Sequence, residues 1–76
     1  MTIFERVQKL IAEELNISKD KIKEESHLFD DLNFDSLDSV QVVLELEQEF
    51  DIEVSDYEID NTRTVKDILD LIENLS

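Results

Sequence analysis

The chain has 76 residues and a formal net charge of −14 at pH 7, from 21 acidic and 7 basic residues. A chain this short forms one domain with a thin core, here residues 1–76, and its negative charge disfavours nucleic acids and anionic membranes as partners. It contains no Cys, which excludes disulfide bonds and thiolate metal sites.

The composition and the apolar spacing near the start of the chain both predict helices. Gly and Pro are absent, and tight hairpins usually need Gly or Asn at positive φ. A first amphipathic helix is predicted up to about Asn16. Its apolar residues at helical spacing are Ile3, Val7, Leu10, Ile11 and Leu15. Residues 16–35 form a long connection, which we expect to pack on the core because it carries regular apolar anchors. These anchors are Ile17, Ile22, Leu28, Phe29 and Leu32.

Three further helices are predicted after this connection. The second covers residues 35–50, and Ser55 is the N-cap of a short third helix through about Asp60. Thr64 and Asp67 have the spacing of a capping box that opens the last helix. Its inward residues are Val65, Ile68, Leu69, Ile72 and Leu75. The expected fold class is all-α: a small four-helix bundle of three main helices and one short helix, with a long first loop.

The second helix has apolar residues on two opposite arcs. At about 100° per residue, one arc is the core stripe. Its members are Val42, Val43, Leu46 and Phe50. The other arc contains Leu37, Val40 and Leu44. Either the helix is buried on both sides, or this arc is an exposed strip for a partner. We favour the exposed strip, because so small a chain can hardly bury a helix on both sides and exposed apolar patches mark interaction sites.

Ser36 lies at the start of the second helix, in the sequence Asp35-Ser36-Leu37-Asp38. Asp35 can cap the free backbone N–H groups, and Asp38 complements the helix dipole. The Ser36 hydroxyl is then at the positive end of the helix, where an esterified phosphate would be stabilised. The alternative is that Ser36 is only a second capping hydroxyl, which is the commoner role of Ser at a helix start.

The residues around Ser36 resemble the attachment-site motif of acyl carrier proteins. The resemblance rests on Asp31-Leu32-Asn33-Phe34-Asp35-Ser36-Leu37-Asp38-Ser39-Val40, on Leu44-Glu45-Leu46-Glu47-Gln48-Glu49-Phe50 and on Thr64-Val65. It implies that a phosphopantetheinyl transferase moves 4′-phosphopantetheine from coenzyme A onto Ser36, and that the thiol of this arm carries acyl groups as thioesters. It also implies a carrier that is not itself an enzyme.

The resemblance leaves the pathway open. Type II (dissociated) fatty acid biosynthesis is the leading interpretation. A specialised carrier for a polyketide, aminoacyl or lipid-modification pathway is an alternative, because these carriers share the motif. An unmodified acidic interaction domain is a further alternative from a different class.

The resemblance further implies a surface that binds basic patches on the enzymes of fatty acid synthesis and on acyltransferases. Its residues are Leu37, Asp38, Val40, Gln41, Leu44, Glu47, Gln48 and Asp56. Acyl chains in this family enter between helices, which suggests Leu46, Val54 and Ile59 as lining residues. We expect the protein to be in the cytoplasm, because no apolar run approaches the roughly 20 residues of a membrane span and the first residues do not resemble a signal peptide. We also expect it to be a monomer.

The chain departs from the family pattern at several positions. Asn33 stands where Gly is common, but Asn can reach a left-handed conformation. Phe34 replaces a commonly small residue and is expected to alter the surface around the arm. Gln41 and Gln48 stand where acidic residues are common, and Thr62 stands where an apolar residue is usual. These departures bear on partner preference rather than on attachment.

Two rival functions fail on identifiable residues. Residues 31–35 match the first ligand positions of an EF-hand loop, but Ser36 stands where Gly is needed and Val42 where the bidentate Glu belongs. A serine hydrolase would need a base and an oxyanion hole. His27 is the only His, and no Gly-x-Ser-x-Gly turn exists. We therefore expect no specific metal site, and a solvated or packing role for His27.

Overall fold

The computed structural model describes residues 2–75, which form four α-helices and one short 3₁₀ helix. Residues 1 and 76, the ends of the expected domain, lie outside this range. The helices are α1 (Ile3–Leu15), α2 (Ser36–Phe50), α3 (Asp56–Asp60) and α4 (Val65–Leu75). This order confirms the predicted all-α bundle of three main helices and one short helix. The 3₁₀ helix, Lys19–Lys21, lies inside the long first loop and is not foreseen by the sequence pattern.

Each α-helix begins at a side chain that caps its free backbone N–H groups. In a capping box, the N-cap oxygen accepts a hydrogen bond from the N–H of the third helical residue, and the side chain of that residue accepts one from the N-cap N–H. The four pairs are Thr2 and Glu5, Asp35 and Asp38, Ser55 and Glu58, and Thr64 and Asp67. The helix starts are therefore determined by residues that are close in sequence.

Asn and Asp take the positions where the backbone turns left-handed. Within residues 2–75, the residues with positive φ are Asn16 at 56°, Asn33 at 59° and Asp51 at 54°. Asn16 ends α1 and Asp51 ends α2, while Asn33 turns the loop shortly before α2. Because Asn and Asp tolerate this conformation better than most residues with a β-carbon, a chain without Gly can still make these turns.

The core is formed by one face of each long helix together with the anchors of the first loop. The most completely buried side chains are Ile11, Ile22, Leu46, Ile72, Val7, Val42 and Val65. All five predicted loop anchors are buried or pack against this core. The loop is thus held by its own apolar residues, as the sequence indicates.

Phe34 is also part of the core, which corrects the expectation that it alters the surface around Ser36. It is only 7% exposed. The left-handed turn at Asn33 precedes it, and its backbone N–H donates to the Leu28 carbonyl at 2.9 Å. Its ring packs edge-on against Phe29, with the ring centres 6.4 Å apart. The tertiary position of the loop, and not the residue's neighbourhood in sequence, places this ring inside.

Backbone hydrogen bonds join the first loop to the start of α4. An antiparallel bridge pairs His27 with Thr64, and the Leu28 N–H donates to the Arg63 carbonyl at 2.8 Å. The Nδ1 atom of His27 accepts hydrogen bonds from the backbone N–H groups two and three residues later, at 3.2 and 3.1 Å. His27 is therefore a turn-capping residue. These contacts fix the segment that leads into α2.

The acidic residues Glu45 and Glu49 of α2 lie on the side that faces α1. Arg6 of α1 forms an ion pair with the Glu49 carboxylate. By contrast, the Oε2 atom of Glu45 is buried and has no hydrogen-bond partner among the described residues. Burial raises the pKa of Glu45, and the charges of Glu14 and Glu13 on α1 raise it further. The interface between α1 and α2 therefore contains a carboxylate that destabilises the fold when it is ionised.

Glu45→Gln should raise the free energy of unfolding at neutral pH by about 0.5–1 kcal/mol, because it removes the burial and repulsion of a charge. A raised pKa means that the folded protein holds this proton at a higher pH than the unfolded chain does. The wild type therefore loses stability as the pH rises through the folded-state pKa, and the variant does not. Thermal melts of both proteins as a function of pH measure the difference.

The control is Glu53→Gln, which makes the same charge change at an exposed position between α2 and α3. A stability gain at Glu53 equal to that at Glu45, or a gain at Glu45 that persists in acid, would show that local burial is not the cause.

Added salt should stabilise the fold, because the charge is concentrated in one part of the chain. Between Lys23 and Arg63 there are 14 acidic residues and no Lys or Arg. The molecule measures 28 × 27 × 19 Å. At 0.01 M salt, where the Debye length is about 30 Å, its excess negative charges therefore repel one another across the whole molecule, whereas at 1 M salt, where this length is about 3 Å, most of that repulsion is screened. We expect the melting temperature to rise by at least about 4 °C over this range, the shift that about 1 kcal/mol produces in a small domain. A flat dependence on salt would contradict the claim of electrostatic repulsion.

Candidate functional site

Ser36 is the first residue of α2, and its side chain does not cap the helix. The N-cap is Asp35, whose Oδ1 accepts a hydrogen bond from the Asp38 N–H at 2.8 Å. The Asp38 carboxylate accepts one in return from the Asp35 N–H at 3.2 Å. Ser36 is exposed, and its hydroxyl has no hydrogen-bond partner within residues 2–75. The capping role that the sequence left open for Ser36 is thus filled by its neighbours.

The N-terminus of α2 provides a suitable electrostatic environment for a phosphate on Ser36. The backbone N–H groups of Ser36 and Leu37 precede the first intrahelical hydrogen bond, and in the described part of the chain neither has another acceptor. Unpaired N–H groups and the positive end of the helix dipole both favour an anion. A phosphate esterified to the exposed Ser36 hydroxyl could use these donors.

The apolar arc of α2 opposite the core is exposed. The relative exposure is 79% for Leu37, 54% for Val40 and 48% for Leu44. The alternative that α2 is buried on both sides is therefore wrong. Contiguous exposed apolar residues of this kind are typical of interaction surfaces.

Tyr57 on α3 is another exposed apolar residue that sequence reasoning missed. It is 77% exposed and follows Asp56, one of the expected partner residues. A signal was available, because Ile59 points inward and a residue two positions earlier on a helix lies about 200° away. The short length of α3 made that period hard to recognise.

The polar side chains expected at the partner surface differ in whether they already form hydrogen bonds within the protein. Asp38 is committed to the capping box of α2. Gln41 and Gln48 are exposed, and Gln48 lies beside the groove between α1 and α2. The Oε2 atom of Glu47 accepts a hydrogen bond from the Val54 N–H at 2.9 Å. Asp56 is exposed at the first position of α3.

An apolar crevice lies between α2, α3 and α4. The structure brings together at this crevice all three residues suggested as acyl-chain lining, Leu46, Val54 and Ile59. Its other lining residues are Leu28, Phe34, Ser39, Val42, Val43, Thr62, Ile68 and Leu71. The Thr62 hydroxyl donates to the Glu58 carbonyl at 2.7 Å, so its polar atom is satisfied. Ser39 lies one turn after Ser36 on α2 and lines the crevice, so the crevice adjoins the start of this helix.

Comparison with known proteins identifies the family. The family described as phosphopantetheine attachment site matches residues 5–72 of the chain. The chain belongs to the acyl carrier protein family. A solved structure of a candidate acyl carrier protein from Mycobacterium tuberculosis is similar to it, with a TM-score of 0.90 and 34% sequence identity, over 96% of this chain and 97% of that chain.

Membership of the acyl carrier protein family establishes the cofactor, which is covalently attached 4′-phosphopantetheine. It also implies a carrier role, with a phosphopantetheinyl transferase and further enzymes as partners. No helix within residues 2–75 has the length and apolar character needed to cross a membrane.

Proposed function

We propose that this protein carries acyl groups for type II fatty acid biosynthesis, with Ser36 as the attachment residue. The observation that carries the proposal is the exposed, unpartnered hydroxyl of Ser36 at the N-terminus of a helix whose cap is made by Asp35 and Asp38. The hydroxyl is free for chemistry because its neighbours hold the helix start. The arm, when attached, supplies a terminal thiol that holds an acyl group as a thioester.

The attachment step uses the Ser36 oxygen as a nucleophile. The Oγ atom forms a bond to the phosphorus of coenzyme A that bears the pantetheine, and the bond from this phosphorus to the bridging oxygen of the diphosphate breaks. Adenosine 3′,5′-bisphosphate leaves, and the hydroxyl proton passes to a base of the transferase. The N-terminus of α2 stabilises the phosphodiester that remains on Ser36.

The surface beside Ser36 supports docking to basic partners. Leu37, Val40 and Leu44 give a partner apolar area to bury, and the segment from residue 24 to 62 contributes only negative formal charge. Complementary charge speeds the encounter with a basic enzyme and orients it. Apolar contact then holds the complex, so that enzymes with different active sites can use the same surface.

The crevice beside α2 supports a further part of the proposal, which is that the first carbons of the acyl chain enter this crevice. Ser39 borders it one turn from the attachment residue, and its other lining residues are mostly apolar. Burial of apolar groups there removes them from water.

Dissociated synthesis would place this protein in the cytoplasm as a monomer that visits one enzyme at a time.

The test is to load the wild-type protein with coenzyme A and a broad phosphopantetheinyl transferase, and to measure its intact mass. We expect a gain of one phosphopantetheine, which fragmentation assigns to Ser36. No gain, under conditions that load a control carrier, would support an unmodified acidic interaction domain instead. Purified enzymes of fatty acid, polyketide and aminoacyl pathways, supplied with the loaded protein, then distinguish the pathways by which of them acylate its thiol.

A further inference from the structure

Phe34 is the crevice-lining residue that is nearest to Ser36 in sequence. It lies two residues before Ser36, in the segment that leads into α2, and it borders the crevice together with Ser39 in the first turns of the helix. The ring faces inward, because the residue is only 7% exposed. The ring is therefore part of the wall that an acyl group inside the crevice contacts.

Backbone hydrogen bonds and a contact with another ring hold Phe34 in place. The Phe34 N–H donates to the Leu28 carbonyl at 2.9 Å, and the Leu28 N–H donates to the Arg63 carbonyl at 2.8 Å, beside the start of α4. The ring also packs edge-on against Phe29, at an angle of 79° between the ring planes. Moving the ring aside would disturb contacts that reach from the first loop to α4.

The crevice has little free space beside this ring. Its free volume is about 30 Å³, enough for one or two water molecules, whereas an apolar cavity that binds benzene measures about 150 Å³. Protein interiors are close-packed, and extra methylenes force side chains and backbone to shift. A short acyl group can enter with small adjustments, but a long one needs space that Phe34 occupies.

We propose that Phe34 restricts the crevice to short acyl groups, such as acetyl, propanoyl and butanoyl, and leaves longer chains outside. Phe34 is then the residue that determines which acyl chains the carrier shields from solvent. This inference rests on the proposed carrier function.

The experiment compares wild type, Phe34→Ala and the matched control Phe4→Ala. Phe4 packs against the core from α1 and does not line the crevice. Each protein is loaded from coenzyme A, butanoyl-coenzyme A and octanoyl-coenzyme A by the transferase, and the melting temperature of each acyl form is compared with that of the form carrying the free thiol. Each methylene that enters the crevice should raise the melting temperature by about 3–6 °C, from the free energy of burying it and the entropy of unfolding a small domain.

In wild type and in Phe4→Ala we expect the same melting temperature with octanoyl as with butanoyl. In Phe34→Ala we expect a further rise with octanoyl. The proposal is overturned if wild type already gains stability from butanoyl to octanoyl, or if Phe34→Ala shows no additional gain.

Removing a buried ring can unfold a protein with a thin core, so Phe34→Leu is the second variant. It should give a smaller additional gain in the same direction, and the absence of any gain would overturn the proposal. In wild type, the methyl resonances of Leu46 and Ile59 should shift on butanoyl loading and no further with octanoyl. A further shift would also overturn the proposal. Failure of the carrier function itself is distinct, because it appears as no mass gain with coenzyme A before any acyl groups are compared.

Discussion

Ser36→Ala should abolish attachment of phosphopantetheine and leave the fold intact. Attachment should be lost completely, because the phosphodiester needs the Ser36 oxygen as nucleophile. The fold should persist because Asp35 and Asp38, not Ser36, cap α2. Ala is the best helix former, so we expect an unchanged or slightly higher melting temperature. Intact mass after incubation with coenzyme A and the transferase measures the first effect, and a thermal melt measures the second.

The matched control is Ser18→Ala, which removes the hydroxyl of another exposed serine at the start of a helical turn. Ser18 caps the 3₁₀ helix and accepts a hydrogen bond from the Asp20 N–H at 3.3 Å. This variant should be loaded at the wild-type rate. A mass gain that persists in Ser36→Ala, or that disappears in Ser18→Ala, would contradict the assignment of Ser36.

Leu37→Gln should reduce kcat/KM of the transferase for this carrier by about 10–100-fold. Burying an exposed Leu against a partner contributes about 1.5–3 kcal/mol, and 1.4 kcal/mol corresponds to a factor of ten. Leu37 is 79% exposed in the free protein, so little stability depends on it. Gln is a good helix former and leaves the net charge unchanged. Loading rates measured over a range of carrier concentrations give kcat/KM, while melts confirm that the variant folds.

The control for this surface is Ile3→Gln. Ile3 is the first residue of α1 and is 37% exposed, so the substitution removes a comparable apolar side chain from the first turn of another helix. We expect kcat/KM to stay close to the wild-type value. Equal losses in the two variants would mean that general surface hydrophobicity, and not the arc of Leu37, Val40 and Leu44, governs recognition.

The sequence predicted the helices and the position of Ser36 at the start of α2 because both depend on near neighbours. A capping box joins residues three apart, so each helix start can be recognised without knowing the rest of the fold. The same locality applies to the exposure of Leu37, Val40 and Leu44, since the angular position of a residue on a helix follows from its number. The sequence left open whether the Ser36 hydroxyl is free, because Asp35 and Ser36 could each have been the cap.

Positions that depend on contacts distant in sequence were harder to predict. The interior position of Phe34 requires the first loop to be joined to α4, through Leu28 and Arg63. The burial of the Glu45 carboxylate requires α1 to pack against that side of α2. Neither arrangement leaves a periodic signal in the residues nearby.

The sequence by itself therefore determined the helices, the acidic surface and the exposed serine with its apolar neighbours. These features follow from capping, helical period and charge, which act over a few residues or over the whole composition. Only the tertiary structure decided which ring borders the crevice, how much space remains there and which carboxylate lies between helices. Those properties arise from close packing of segments far apart in the chain, and packing is decided only when all of the segments are in place.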